Sequence, residues 1–237
     1  MGEKFIEHTG VRLWTIDQGA GFPLMLCNGG PGLADYLQPI ANMLTDFVRV
    51  IRFEQRGCGR SDAAGPYDIQ TCLQDIEAIR RYYEIERWII GGHSFGADLA
   101  LLYALAYPQA AAGVVCLAGG MVSDDRQWHV EYTRRRATEA IPETGYAVNR
   151  DVNRLMNRDW KRYIHRPSLL RELAQAQMPA VFVYGEQDIR PSWAVEQVAC
   201  LMPNARFVLI PNAPHLLWWE QPEAVQTHLR NFLREVL

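Results

Sequence analysis

Three polar residues of this 237-residue chain have the types and the order that acyl transfer by a serine requires. Ser94 lies at the centre of residues 92–96, GHSFG, which match the pattern G-x-S-x-G. A short apolar run before the motif predicts a strand, and an Ala/Leu-rich run after it predicts a helix. A sharp strand-to-helix turn exposes the serine, and flanking glycines let neighbouring backbone come close. The motif in this context predicts a nucleophilic serine.

Serine attack needs an imidazole that takes the hydroxyl proton and a carboxylate that orients the imidazole. In an open α/β sheet, such groups come just after the carboxyl ends of strands. Asp188 and His215 each follow an apolar run of strand character. We therefore predict Ser94, Asp188 and His215 as a catalytic triad. Asp124 or Asp125, which come shortly after another such run, are the alternatives to Asp188 as the acid.

The predicted reaction is attack of Ser94 on a carbonyl carbon, with His215 as the base, and hydrolysis of the resulting acyl-enzyme. The developing oxyanion needs backbone N–H donors. Our candidates are Gly30, in the loop NGGPG at 28–32, and Phe95, which opens the helix after the nucleophile. This chemistry requires no metal and no organic cofactor.

Strands alternate with helices along most of the chain, which predicts an α/β fold with a mostly parallel central sheet flanked by helices. Residues 121–171 show helical spacing without a strand run and predict a short helical cap insertion. The predicted core domain is then 1–120 and 172–237. Trp128 and Tyr132 have a spacing typical of core packing, and the alternative is that both line the substrate pocket.

Composition narrows the class of protein. The chain is 49% hydrophobic and 22% charged with a net charge of -3, which indicates one globular core and no affinity for nucleic acid. The amino terminus lacks the apolar segment of a signal peptide, and no run is long enough to cross a membrane. The five cysteines are scattered, as in reduced proteins. We predict a cytoplasmic protein that acts on a small acyl compound or short peptide, and its oligomeric state stays open.

Five segments together resemble the α/β-hydrolases, and more narrowly the proline iminopeptidase group: NGGPG at 28–32, EQRGCGRSD at 54–62, GGHSFG at 91–96, GEQD at 185–188 and HLLWWEQP at 215–222. The resemblance implies the α/β-hydrolase fold and the triad and oxyanion donors named above. It also implies that Asn28 and Gly29 line the acyl pocket, and that the loop at 54–62 orders the site, with a structural Arg56.

The chain departs from the iminopeptidase pattern at three motif positions. Asn28 stands where that group has His, Glu54 where it has Asp, and Phe95 where it has Trp. The insertion is also shorter than the iminopeptidase cap, which holds the free amine of the substrate with acidic residues. Acidic residues that could take this role here are Glu131, Glu139 and Glu143.

The sequence thus predicts a serine hydrolase of esters or amides, with several functions open. One is a proline-iminopeptidase-like aminopeptidase, and an alternative is a carboxylesterase or lactonase on the same scaffold. A haloperoxidase-like or acyl-transfer reaction would use the same nucleophile. A ligand receptor without catalysis is the alternative from another class.

Overall fold

The structure is a computed structural model, and it describes residues 2–123, 125–139 and 141–237. In these residues the strands are β1 Gly2–His8, β2 Val11–Gln18, β3 Pro23–Cys27, β4 Arg49–Phe53, β5 Trp88–His93, β6 Ala111–Leu117, β7 Ala180–Gly185 and β8 Ala205–Ile210. They form one sheet of order β1-β2-β4-β3-β5-β6-β7-β8. The pairs β1–β2 and β2–β4 are antiparallel, and the other pairs are parallel.

Helices cover both faces of this sheet. They are α1 Gln38–Asn42, α2 Ile69–Tyr82, α3 Phe95–Ala106, α4 Arg126–Arg135, α5 Arg150–Ile164, α6 Leu169–Gln175, α7 Trp193–Leu201, α8 Leu217–Glu220 and α9 Pro222–Val236, with a 3-10 turn at Arg136–Thr138. Alternate strand residues enter two separate cores, because successive side chains of a strand point to opposite faces. Ile90 packs in the core that contains α2 and α3, and Ile89 packs in the core that contains α9.

The predicted α/β fold with a mostly parallel sheet is confirmed, and the differences lie at element ends. The alternating residues 47–53 predict a strand over the whole run, but β4 begins at Arg49, because Phe47 and Val48 form the turn after α1 and donate their N–H groups to Leu44 O, both at 2.9 Å. The amphipathic spacing near the carboxyl terminus predicts a last helix from about residue 224, and α9 begins two residues earlier. Proline suits a first helical turn, and Pro222 starts it.

The segment predicted as a cap contains α4, the 3-10 turn, α5 and the first three residues of α6, which continues past the predicted end at residue 171. The contacts of α4 and α5 show where these two helices are attached. Asn149 caps α5, and its N–H and Nδ2 donate to the carbonyls of Gly32 (2.9 Å) and Gly57 (3.0 Å). Asp125 caps α4 and accepts a hydrogen bond from Trp193 Nε1 at 2.9 Å. The two helices are therefore fastened to different parts of the core. That residues 121–171 form a cap on a core of 1–120 and 172–237 remains our proposal.

The loop of residues 54–62, which is the second glycine-rich loop after that of residues 28–32, is fixed by ion pairs with buried carboxylates. Glu54 is fully buried and accepts hydrogen bonds from Arg60 Nη2 (2.7 Å) and from the backbone N–H of Asp35 (3.0 Å). Arg56 donates to both oxygens of Asp75, at 2.6 and 2.7 Å. Because the guanidinium of Arg56 is buried in this pair, its role in the fold is structural, as the resemblance implies. No helix in the described part of the chain is long and apolar enough to cross a membrane.

The glycines of G-x-S-x-G are explained by backbone contacts. A Cβ at Gly96 would lie 2.0 Å from Cys27 O, and a Cβ at Gly92 would lie 2.3 Å from Gly96 O. Both distances are far below van der Waals contact, and main-chain atoms in a sheet cannot move aside. The start of α3 can therefore approach β3 only when residues 92 and 96 carry no side chain.

We expect Gly96→Ala to lower the free energy of unfolding by about 3 kcal/mol, because the added methyl group must displace main-chain atoms at the end of β3. Urea unfolding followed by circular dichroism measures the change. Gly2→Ala is the control, since a Cβ there meets nothing within 4 Å. Equal stability of the two variants would contradict this explanation of the motif.

Candidate active site

Ser94 occupies a sharp turn between β5 and α3 with φ 54° and ψ -125°. A positive φ is uncommon outside glycine and persists only where the surroundings enforce it. Here the turn is enforced from both sides, since Ser94 N–H donates to Leu117 O at 2.8 Å and Ser94 O accepts from Ala97 N–H at 2.9 Å. The turn places Ser94 at the wall of a cavity.

Asp188 and His215 meet beside the same cavity. Asp188 Oδ2 and His215 Nδ1 are 2.6 Å apart, and Asp188 Oδ1 accepts the backbone N–H of Arg190 at 2.9 Å. Both loops leave the same edge of the sheet, because β7 and β8 are parallel neighbours with Gly185 opposite Ile210. The carboxylate is fully buried and the imidazole is 13% exposed. The contact at Nδ1 leaves Nε2 as the ring nitrogen available to a reacting group.

The cavity has a volume of about 520 Å³ and is lined by residues of the core and of the predicted cap. The core side includes Ser94, His215 and both predicted oxyanion donors, Gly30 and Phe95. Phe95 is the first residue of α3, a position at which the backbone N–H has no carbonyl of the helix one turn earlier to donate to. The cap side includes Trp128, Tyr132 and Trp160. The structure thus brings the predicted nucleophile, base and donors to one cavity wall.

The alternative acids differ in position from Asp188. Asp125 accepts from Trp128 N–H at Oδ1 and from Trp193 Nε1 at Oδ2, both at 2.9 Å, so its oxygens serve the start of α4. Asp124 lies outside the described residues. The carboxylate that contacts His215 Nδ1 is that of Asp188.

Two of the four predicted substrate-binding residues do not reach the described cavity wall. Asn28 is buried, and its Nδ2 donates to the carbonyls of Gly29 (3.2 Å) and Leu33 (3.1 Å) in its own loop. The N–H of Gly29 donates to Tyr36 Oη at 2.9 Å. Asn28 and Gly29 therefore shape the loop that presents Gly30. Trp128 and Tyr132 do line the cavity, although Trp128 is also part of the hydrophobic core.

His93, the residue before Ser94, joins the loop after β3 to the loop of His215. Its Nε2 lies 2.9 Å from His215 O and must donate, because a carbonyl only accepts. Burial and the neighbouring His215 hold the pKa of His93 well below its ordinary value, so the ring is neutral and its Nδ1 accepts. Tyr36 Oη, 2.7 Å away, must then be the donor to Nδ1, and it accepts from Gly29 N–H. A directed chain of hydrogen bonds thus runs from the glycine-rich loop to the backbone of His215.

Asp98 is a cavity residue that our sequence analysis missed. It lies on α3 four residues after Ser94, its Oδ1 accepts from Gly120 N–H at 2.7 Å, and burial raises the pKa of its carboxyl to about 7. The sequence does contain a signal for Asp98. It is the one carboxylate in an otherwise apolar helix, and it lies one turn after Ser94 on the same helical face.

Comparison with known proteins agrees with this fold. The alpha/beta hydrolase fold family matches residues 23–163. The chain belongs to this family. A proline iminopeptidase of Saccharolobus solfataricus is 34% identical over 134 residues, which cover 53% of this chain and 41% of that protein. A proline iminopeptidase of Heyndrickxia coagulans is 24% identical over 287 positions, covering 99% of each chain.

The alignments also show how this α/β-hydrolase differs in length from its relatives. The chain spans 33% and 41% of the length of two curated relatives that it matches above 30% identity. The alignment with the Heyndrickxia protein has more positions than this chain has residues, so that relative carries residues without a counterpart here. A thermophilic esterase of Thermogutta terrifontis has the same fold, with a TM-score of 0.80 at 23% identity over 100% of this chain and 99% of that one.

We expect Tyr36→Phe to lower the free energy of unfolding by about 1–3 kcal/mol, because it leaves both His93 Nδ1 and Gly29 N–H buried without a partner. Urea unfolding measures the loss. Tyr82→Phe is the control, since Tyr82 is 51% exposed. A Tyr36→Phe variant as stable as the control would show that the hydrogen-bond chain contributes nothing to the fold.

Proposed function

We propose that this α/β-hydrolase is a serine hydrolase that cleaves a small acyl substrate through an acyl-enzyme. The observation that supports it most directly is the contact of 2.6 Å between Asp188 and His215 at a cavity that Ser94 also lines. An imidazole whose Nδ1 is fixed by a buried carboxylate is oriented to take a proton at Nε2. The family and its esterase and peptidase relatives agree with hydrolysis as the reaction class.

The proposed reaction has two halves. Ser94 Oγ attacks the carbonyl carbon of the substrate while His215 Nε2 takes the hydroxyl proton, and Asp188 stabilises the charged ring. The carbonyl oxygen becomes an oxyanion that accepts from the N–H groups of Gly30 and Phe95. When the carbon–heteroatom bond breaks, the leaving group takes the proton from His215. A water molecule then repeats these steps on the acyl-enzyme and releases the acid.

The charges around the cavity favour a neutral ester or lactone over a substrate with a free amine. Glu139 lines the cavity, but one oxygen pairs with Arg190 and the other accepts from Tyr132 Oη at 2.7 Å. Glu131 pairs with Arg134, and Glu143 is exposed. None of the three acidic residues predicted to hold an amine is thus placed to do so without giving up a partner or moving.

An aminopeptidase is the second candidate, and the observation that favours it is Asp98. This carboxylate lines the cavity one helical turn from Ser94, and no ion pair joins it to a cation among the described residues. With a pKa of about 7, Asp98 is largely ionised above neutral pH and largely protonated below it. An amine held by Asp98 would therefore bind better as pH rises through 7.

Labelling with a fluorophosphonate tests the nucleophile. We expect wild type to be labelled at one site and Ser94→Ala to remain unlabelled, because Ser94 is the residue that the turn presents to the base. The adduct is measured by mass spectrometry of the intact protein. Ser168→Ala is the control, since Ser168 is exposed at the start of α6. A wild type that resists labelling would favour the ligand-receptor alternative.

A panel of chromogenic substrates separates the two candidates. We expect p-nitrophenyl esters of short acids to be cleaved, and proline and alanine p-nitroanilides to react at least about tenfold more slowly, because Glu139 is already paired and Asp98 already accepts a hydrogen bond from Gly120 N–H. Initial rates between pH 6 and 8 measure the preference. Faster cleavage of the anilides that needs the free amine, rises through pH 7 and disappears in Asp98→Asn would establish the aminopeptidase instead.

A further inference from the structure

Arg190 stands between the predicted cap and the triad acid. Its Nη2 donates to Glu139, which follows the 3-10 turn, and its guanidinium lies 4.9 Å from the ring centroid of Tyr132 on α4. Tyr132 Oη in turn donates to the second oxygen of Glu139 at 2.7 Å. The cation, the carboxylate and the ring thus form a closed cluster, and each of the two Glu139 oxygens has one partner.

The other end of the guanidinium faces Asp188. Arg190 Nη1 is 3.7 Å from Asp188 Oδ1, which is too far for a hydrogen bond, whose limit is about 3.2 Å. Nη1 is buried and has no hydrogen-bond acceptor in the described residues. Asp188 Oδ1 is held instead by the backbone N–H of Arg190. Arg190 therefore attracts the triad acid by charge without donating a side-chain hydrogen bond to it.

The pairing with Glu139 keeps this arrangement in place. A shift of about 1 Å would turn the contact with Asp188 into a charge-assisted hydrogen bond, which is stronger than a hydrogen bond between neutral groups. Glu139 opposes that shift because it binds Nη2 from the cap side. If Glu139 lost its charge, the guanidinium would be drawn to Asp188, and Asp188 would stabilise a protonated His215 less well.

We propose that Arg190 is a positioning residue through which Glu139 of the predicted cap sets the strength of the base His215. The proposal rests on the proposed function, in which His215 takes the proton of Ser94. It makes the base strongest when Glu139 is in contact with Arg190, and both residues line the cavity. The cap then contributes to the chemical step as well as to the shape of the pocket.

Other ionisable groups near the cluster do not replace either partner. Those that interact with Arg190 include Tyr36, Tyr132, Tyr184, His93, Glu139 and Asp188, and the cation Arg136 also interacts with Tyr132. Burial raises the pKa of Tyr36 and Tyr184 above their ordinary value, so both are neutral at working pH. His93 is neutral as well. Asp188 and Glu139 are the two charges that compete for the guanidinium.

Two substitutions of opposite sign test the proposal. Glu139→Gln removes the charge that draws Arg190 away from Asp188, and Arg190→Met removes the guanidinium at similar length. The rate of fluorophosphonate labelling of Ser94 is measured from pH 5 to 9. The acidic limb of this profile is the pH range in which labelling speeds up as the base loses its proton. We expect this limb to move to lower pH in Glu139→Gln and to higher pH in Arg190→Met, each by about half a pH unit or more.

Control variants separate positioning from packing. Glu131→Gln removes a similar acid that pairs with Arg134 on α4, and we expect it to leave the limb in place. Arg190→Lys keeps the charge, and its limb should stay within about 0.2 pH unit of wild type even if labelling slows. A purely structural role of Arg190 predicts slower labelling in both Arg190 variants with the limb unmoved.

A second measurement keeps the proposal testable without labelling. The side-chain resonances of His215 are followed by NMR through the same pH range in the unlabelled proteins, and their midpoints should move in the same two directions. Failure of wild type to label, with these midpoints moving, would overturn the proposed function and leave the coupling standing. Midpoints that stay fixed, or move in the same direction in Glu139→Gln and Arg190→Met, would overturn the coupling.

Discussion

The close approach of two backbone segments, the end of β3 and the start of α3, holds the site together. The start of α3 lies so near the end of β3 that a Cβ at Gly96 would meet Cys27 O at 2.0 Å, and a Cβ at Gly119 would meet Ser94 O at 2.2 Å. This packing forces the positive φ of Ser94, because the chain has no room to turn more gently. The same contact brings the loop after β3, which carries Gly30, against Ser94. Backbone packing therefore sets the turn of Ser94, and the side chains of Asn28 and Tyr36 complete the loop that carries Gly30.

The proposed base is placed by different means. His215 follows the edge strand β8, where less of the sheet surrounds the loop, and two polar contacts hold it: Asp188 at its ring and His93 Nε2 at its carbonyl. His93 directly precedes Ser94, so its hydrogen bond to His215 O fixes the position of His215 relative to Ser94. Through Tyr36, the same chain reaches the loop of Gly30. His93 thus connects the loops of Gly30 and His215 through hydrogen bonds, although both of its ring nitrogens are engaged and it cannot act as a base for Ser94.

The sequence was sufficient where backbone topology decides position and insufficient where side-chain direction decides it. Parallel strands share one edge, so residues just after their ends meet, and this was enough to bring Ser94 and His215 to one cavity. Asn28 was expected to line the pocket, but its side-chain amide donates hydrogen bonds to carbonyl groups of its own loop instead. No sequence pattern distinguishes an asparagine that lines a pocket from one that binds its own loop. The pairing of Glu139 with Arg190 spans 51 positions and depends on how α4 packs, which local periodicity does not encode.

The helices α4 and α5 of the predicted cap are attached to different parts of the chain. Asn149 binds α5 to the loops of residues 28–32 and 54–62, whereas Asp125, Trp128 and Glu139 bind the α4 segment to residues 190–193, which follow Asp188. Residues of both helices line the cavity together with Gly30 and His215. The contacts of the predicted cap thus reach the loop that carries Gly30 and the loop that follows Asp188. Replacing a residue of this segment that makes one of these contacts would therefore alter the geometry of the proposed site as well as the shape of the cavity.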